Sequence, residues 1–175
     1  MSDDRLGQDI DAVARLQGTF QLRSGQPSNE YFDKYRFESD PALFRRVAQR
    51  MLQLLPDGTE ILAGLEFGGV PIATAMSLES GLPVVFVRKT AKEYGTCQAV
   101  EGADVRGRRT VLIEDVIATG GAVGAAAELV RAAGADVTGV ICAIWRGEGS
   151  PGIVEAPALP VFPVLTRADL QSGLA

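Results

Sequence analysis

The stretch Val111-Leu112-Ile113-Glu114-Asp115-Val116-Ile117-Ala118-Thr119-Gly120-Gly121-Ala122 decides how the chain is read. An apolar run leads into two acids, then a glycine bend, then an alanine-rich helical stretch. Strand, turn and helix in that order build a doubly wound sheet, in which ligands lie outside the carboxyl ends of the strands. A helix starting at Gly121-Ala122 aims unpaired amides and a positive dipole end at that place, which suits a phosphate monoester. Gly120 and Gly121 let the backbone approach closely, and the Thr119 hydroxyl adds a donor. This is no P-loop, because the Gly-Lys-Ser/Thr ending is missing and acids precede the turn. Two adjacent carboxylates repel a bare phosphate, so Glu114 and Asp115 need a reason to stand there. A ribose diol, or Mg²⁺ held directly or through its waters, supplies one. The plainer alternative is a solvated strand end followed by a structural turn.

Outward from this stretch, short apolar runs alternate with helical ones: Ile61 to Gly64, Val70 to Ser80, Pro83 to Arg88, Thr110 to Glu114, Ala122 to Ala133 and Val137 to Trp145. Such alternation predicts a mainly parallel central sheet flanked by helices. Upstream, Ile10, Val13, Ala14 and Leu16 give a short helix that passes into a strand near Gly18, and the alternating aromatics of Tyr31 to Phe37 suit a second strand. Asp40-Pro41 starts a helix carrying Leu43, Phe44, Val47, Met51, Leu54 and Leu55 on one face, ended by Pro56 and Gly58. Between Lys89 and Arg109 lie about twenty charged, glycine-containing residues with little apolar period, the pattern of a functional loop or lid. The proline-bearing tail predicts an irregular return with one edge strand.

Composition narrows the chemistry. At 175 residues the chain is expected to form one domain, residues 1–175. Lys+Arg 17 against Asp+Glu 22 gives a net charge of −5, which argues against nucleic acid as a partner. The chain has no His, so a Ser-His-Asp or Cys-His pair, a His-ligated zinc and an imidazole proton shuttle are excluded. Cys97 and Cys142 suggest neither a disulfide framework nor a thiolate cluster, and a reducing cytoplasm is expected. No signal peptide or membrane span is read.

Other segments carry charge or glycine where an anion would sit. Gly64-Leu65-Glu66-Phe67-Gly68-Gly69-Val70-Pro71 follows an apolar strand and precedes a helix, so its amides can form a second anion nest. Arg88, Lys89 and Lys92 form a cationic cluster at the start of the expected lid, locally matched to an anion on a chain of negative net charge, with a solvated charged surface as the plainer alternative. Tyr31 and Phe32 offer a flat wall for a planar base, with a core role competing for whichever of them faces inward. Arg146 can bind carbonyl or carboxylate oxygens in bidentate fashion.

The stretch from Val111 to Ala122 resembles the phosphoribosyl-diphosphate (PRPP) signature of type I phosphoribosyltransferases. Phe20-Gln21-Leu22-Arg23-Ser24-Gly25 with Tyr31-Phe32-Asp33, the 64–71 segment, and Val87-Arg88-Lys89-Thr90-Ala91-Lys92-Glu93-Tyr94-Gly95-Thr96 through Glu101-Gly102 narrow the likeness to the orotate phosphoribosyltransferases. The likeness implies that fold, with a small N- and C-terminal hood and a flexible lid. It also implies a Mg²⁺-dependent transfer of 5-phosphoribosyl from PRPP to orotate in pyrimidine synthesis. On the matching positions it implies that Glu66, Phe67, Gly68, Arg88, Lys89, Lys92, Tyr94 and the run Glu114, Asp115, Val116, Ile117, Ala118, Thr119, Gly120, Gly121 and Ala122 bind PRPP. Arg23, Tyr31, Phe32, Ala118 and Arg146 would hold orotate, and Lys92 with Glu114 and Asp115 would serve catalysis. Glu114 and Asp115 would also meet the magnesium, directly or through ribose hydroxyls or water. A homodimer is implied, each lid covering the neighbouring subunit's site.

Four positions depart from the family pattern. Many relatives place Lys where Gly68 stands, His where Tyr94 stands, Thr where Ala118 stands and Asp where Trp145 stands. These departures leave open a different nucleobase as acceptor, and a non-catalytic regulator that binds PRPP or a nucleotide is the further alternative. Retention of Lys92 and a glycine-bearing lid speaks for the enzyme.

Overall fold

In the computed structural model, residues 5–22, 25–91, 98–148, 151, 153–155 and 158–171 are described. The chain divides into two compact units, residues 1–47 with 167–175, and residues 48–166.

In the first unit, α1 (Leu6–Ala14) runs directly into β1 (Arg15–Gln21), which pairs antiparallel with β2 (Pro27–Phe32). Leu6, Ile10 and Ala14 recur at helical spacing and are buried, as the apolar period requires. The junction is held by Arg15, whose Nη2 lies 2.7 Å from Asp11 Oδ1 and whose Nη1 lies 2.9 Å from Glu30 Oε1. The expected strand over Tyr31 to Phe37 ends at Phe32. Asp33 accepts a hydrogen bond from the Tyr35 amide at 3.2 Å and starts α2 (Lys34–Glu38). Phe37 is fully buried there, so the alternating aromatics are divided between a strand and a helix.

Asp40 caps α3 (Pro41–Leu52), its Oδ1 accepting from the Ala42 and Leu43 amides at 2.9 and 3.1 Å, with proline at the first helical position. The helix stops at Leu52, so Leu54 and Leu55 lie beyond it rather than on its face.

The second unit is built on a seven-stranded sheet. Its elements are β3 (Ile61–Leu65), α4 (Gly69–Ser80), β4 (Val84–Val87), β5 (Val100–Gly102), β6 (Arg109–Ile117), α5 (Gly121–Ala132), β7 (Asp136–Trp145), β8 (Ile153–Glu155) and β9 (Ala158–Thr166). The strand order is β5-β4-β3-β6-β7-β9-β8. The five inner strands run parallel, while β5 and β8 pair antiparallel at the edges. β5 falls inside the segment expected to be loop. The tail holds two strands rather than one, and β9 is inserted beside β7 despite Pro160 and Pro163. β8 pairs only with residues 158–160, so Pro163 stands where that flank of β9 has no ladder to β8. The last described element is α6 (Arg167–Gln171), part of the first unit, where it packs on α1.

Strand alternation sorts the core. Ala63, Leu65, Val85, Val87, Leu112 and Cys142 pack with Val123, Ala126, Ala127 and Val130 of α5 in one buried cluster. Gly64 lies against Gly69 and Ala73, which places α4 over the other face. Each fully buried Ile, Leu or Val contributes about 1.5–3 kcal/mol. The order reverses between β3 and β6, since the chain winds outward from β3 to β4 and from β6 to β7. That reversal is the crevice in which sheets of this kind bind ligands.

Candidate active site

The loops leaving β3 and β6 meet at this crevice. Residues 118–120 form a bend after β6, and Gly120 adopts φ +78°, a left-handed conformation that glycine takes without steric cost. α5 starts at the next residue. A Cβ at Gly121 would meet nothing within 4 Å, so the helix mouth opens on free space. Ala118, Thr119, Gly121 and Ala122 are exposed around it. Arg146 is held beside the same bend, its amide donating to the Ile117 carbonyl at 2.8 Å. Gly147 lies flat against the Trp145 ring and the Ala118 carbonyl.

The acidic pair lies within β6 rather than beyond its end. Glu114 is 9 % exposed and Asp115 1 %. Successive strand residues face opposite sides of a sheet. Glu114 accordingly lines a cavity on the α5 side, whereas Asp115 lies beneath Gly68 at the start of α4. Each carboxylate also accepts a backbone amide: Glu114 Oε1 from Asp115 at 2.9 Å, and Asp115 Oδ1 from Val116. The two carboxylates therefore do not form one bidentate site. Cys142 pairs in register with Glu114 beneath this layer, and burial together with the Glu114 and Asp115 charges pushes its thiol up to about 12.

The second loop, Glu66-Phe67-Gly68, turns from β3 into α4, and its Glu66–Phe67 peptide is cis. Gly68 and Gly69 are required by proximity. A Cβ on Gly68 would fall on the Asp115 carboxylate, and one on Gly69 on the Ile113 carbonyl. Phe67 stands 64 % exposed at the tip. Glu66 points the other way, its Oε2 accepting the Lys89 amide at 3.0 Å.

Glu66, Arg88, Lys89 and Glu114 line the cavity on the α5 side, which has a volume of about 210 Å³ and an apolar wall including Ala125 and Leu129. Arg88 Nε is buried there with no hydrogen-bond partner among the described residues. A larger cavity of about 680 Å³ lies against β5 and the last turns of α5. Its lining is mostly apolar, and its charged members Asp104 and Arg106 pair with each other at 2.7 Å.

Tyr31 and Phe32 belong to the first unit. Tyr31 is 44 % exposed and its ring lies 5.6 Å from that of Phe20, whereas Phe32 is half-buried. Arg23, Lys92 and Tyr94 lie outside the described residues. The Glu66 carboxylate contact was not readable from sequence, because Lys89 is 23 residues away and only the β3–β4 register brings them together. Among the described residues, no group of three acidic or thiol side chains converges as a metal cage.

An open helix mouth after β6, a second glycine loop after β3 and a cationic end of β4 stand together in the unit built on the seven-stranded sheet, and the family comparison gives the class as phosphoribosyltransferase. Residues 36–157 match the phosphoribosyl transferase domain family. The orotate phosphoribosyltransferase of a Nocardioides species is 58 % identical over 171 residues, 98 % of this chain and 96 % of that protein. That of Methanocella arvoryzae is 39 % identical, covering 87 % of each. The Mycobacterium tuberculosis orotate phosphoribosyltransferase, solved in complex with PRPP, superposes with a TM-score of 0.80 at 27 % identity over 95 % of this chain and 97 % of that one. The chain belongs to the orotate phosphoribosyltransferase family. Among the described residues no helix is long and apolar enough to cross a membrane.

Proposed function

We propose that the protein transfers the 5-phosphoribosyl group from PRPP to N1 of orotate, giving orotidine 5′-phosphate and diphosphate in pyrimidine nucleotide synthesis. The observation that carries this reading is the open helix mouth after Asp115, at the point where the strand order reverses, in a chain so similar to orotate phosphoribosyltransferases. Val116 to Ala122 cradle the 5′-phosphate through backbone amides and the Thr119 hydroxyl. Glu114 and Asp115 take the ribose hydroxyls.

The bond from the ribose anomeric carbon to diphosphate breaks with both electrons leaving on the diphosphate oxygen, and N1 of orotate supplies the pair for the new bond. Orotate is already an anion, so positioning matters more than a strong base, in keeping with a chain without His. Charge growing on the leaving group is met by the Glu66-Phe67-Gly68 amides and by Arg88, Lys89 and Lys92, with Tyr94 adding a hydroxyl. Arg23, Tyr31, Phe32, Ala118 and Arg146 hold the base.

Glu114 or Asp115, single carboxylates on separate faces of the sheet, would be the residues to hold a Mg²⁺. When bound, the ion neutralises diphosphate charge. The reading includes a homodimer in which the segment bearing Lys92 covers the partner's site. It places the enzyme in a reducing cytoplasm, which suits Cys142, a buried free thiol.

Diphosphate release is measured with PRPP, Mg²⁺ and a panel of bases. Release is expected with orotate alone, and Lys92→Ala is expected to lower kcat by about 10²-fold or more. Turnover of another base in preference would replace the acceptor. Tight PRPP binding without turnover of any base would favour a regulator.

A further inference from the structure

The Glu66 carboxylate sits among groups assigned to PRPP, yet it carries the sign of charge that a diphosphate repels. Its geometry gives it other work. Glu66 is the first residue beyond β3, and its amide donates to the Val87 carbonyl at 2.8 Å. On the neighbouring strand the Arg88 amide donates to the Ala99 carbonyl at 2.8 Å, just past the Val87 to Val100 pairing, and closes the base of the 88–99 connection. Lys89 is the next residue out, past the end of the ladder, and its amide donates to Glu66 Oε2.

We infer that Glu66 is a positioning residue for PRPP, tying the Arg88-Lys89 segment to the loop that opens α4. This rests on the function proposed above. The tie explains how the second loop works without a cation of its own. Gly68 cannot carry a side chain while Asp115 lies against it, so positive charge must come from the end of β4. Glu66 fixes the backbone of that end, and Arg88 and Lys89 line one cavity with it. Arg88 Nε, a buried donor with no acceptor among the described residues, is held ready for an anionic oxygen. Because the carboxylate acts as a backbone acceptor, an amide oxygen in the same place serves equally well.

The test compares Glu66→Ala and Glu66→Gln with the parent protein by calorimetric titration with PRPP in Mg²⁺. Loss of one hydrogen bond of ordinary strength weakens PRPP affinity by about fivefold in Glu66→Ala. Glu66→Gln should stay within about twofold of the parent in PRPP affinity. Amide exchange at Lys89 should quicken in Glu66→Ala alone, a readout that needs no activity. Equal affinities in all three proteins would overturn the inference. So would a Glu66→Gln as weak as Glu66→Ala, since charge would then be the cause, or unchanged Lys89 exchange in Glu66→Ala. A parent that binds PRPP but does not turn over orotate sinks the proposed reaction and leaves these comparisons decisive. A parent that does not bind PRPP overturns both.

Discussion

Gly68 and Asp115 share a space that holds only one side chain: a Cβ on the glycine would coincide with the carboxylate. The loop before α4 and the end of β6 are therefore fitted to each other, and Asp115 owes its burial partly to a residue with nothing to offer but backbone.

The fit is measurable. Gly68→Ala should lower stability by about 2 kcal/mol in chemical denaturation, the cost of overpacking a filled site. Asp115→Ala in the same chain should recover more than half of that loss. Additive effects of the two changes, measured as a double-mutant cycle, would show that the residues do not compete for the space.

Gly120 and Gly121 should behave differently although adjacent. Gly120 has φ +78°, so Gly120→Ala costs about 1–2 kcal/mol. Gly121 has open space around its missing side chain, and Gly121→Ala should leave the thermal midpoint unchanged or slightly raised. Its PRPP affinity should still fall by about tenfold, because the methyl group stands where the cradle must admit phosphate.

Cys142 gives a pH dependence of defined sign. Its thiol titrates at about 12 in the fold against 9.0 ordinarily, so the folded state keeps its proton longer than the unfolded chain. The associated stability is complete below pH 9 and is lost as pH rises from there toward 12. In a Cys97→Ser background, alkylation of native protein at pH 8 should be negligible and should appear only with denaturant. Ready native-state labelling would contradict both the burial and the raised pKa.

Arg15 holds a nearly buried carboxylate. Asp11 is 7 % exposed, and its carboxylate accepts three hydrogen bonds from the Arg15 Nε and Nη2. Arg15→Leu should cost about 3 kcal/mol, because it strands that charge. Replacing Asp11 by Leu in the same chain should restore most of the loss, as read from urea midpoints.

Strands β3, β4, β6 and β7 were legible from sequence because each is an apolar run preceded by a turn bearing glycine or proline. The miscast elements have local patterns that tertiary context overrides. Tyr35 and Phe37 continue an aromatic alternation, but the Asp33 cap turns them into a helix. β5 is three residues long and exists through its register with β4. β9 carries two prolines, and Pro163 lies beyond the short ladder to β8. At the site, the glycine bend and helix start fell where the sequence put them. The opposed facing of Glu114 and Asp115 was available too, since Leu112 and Ile113 fix the parity of the strand. The approach of Gly68 to Asp115 was not, because it depends on how closely α4 lies over β6.

With Glu114 on the α5 side and Asp115 on the α4 side, a pentose engaging both acids must straddle the rim of the sheet. Such a pentose would act as a rivet between two helical layers that are otherwise joined through the strands. Substrate would stiffen both layers at once, and neither helix mouth would tighten without the other.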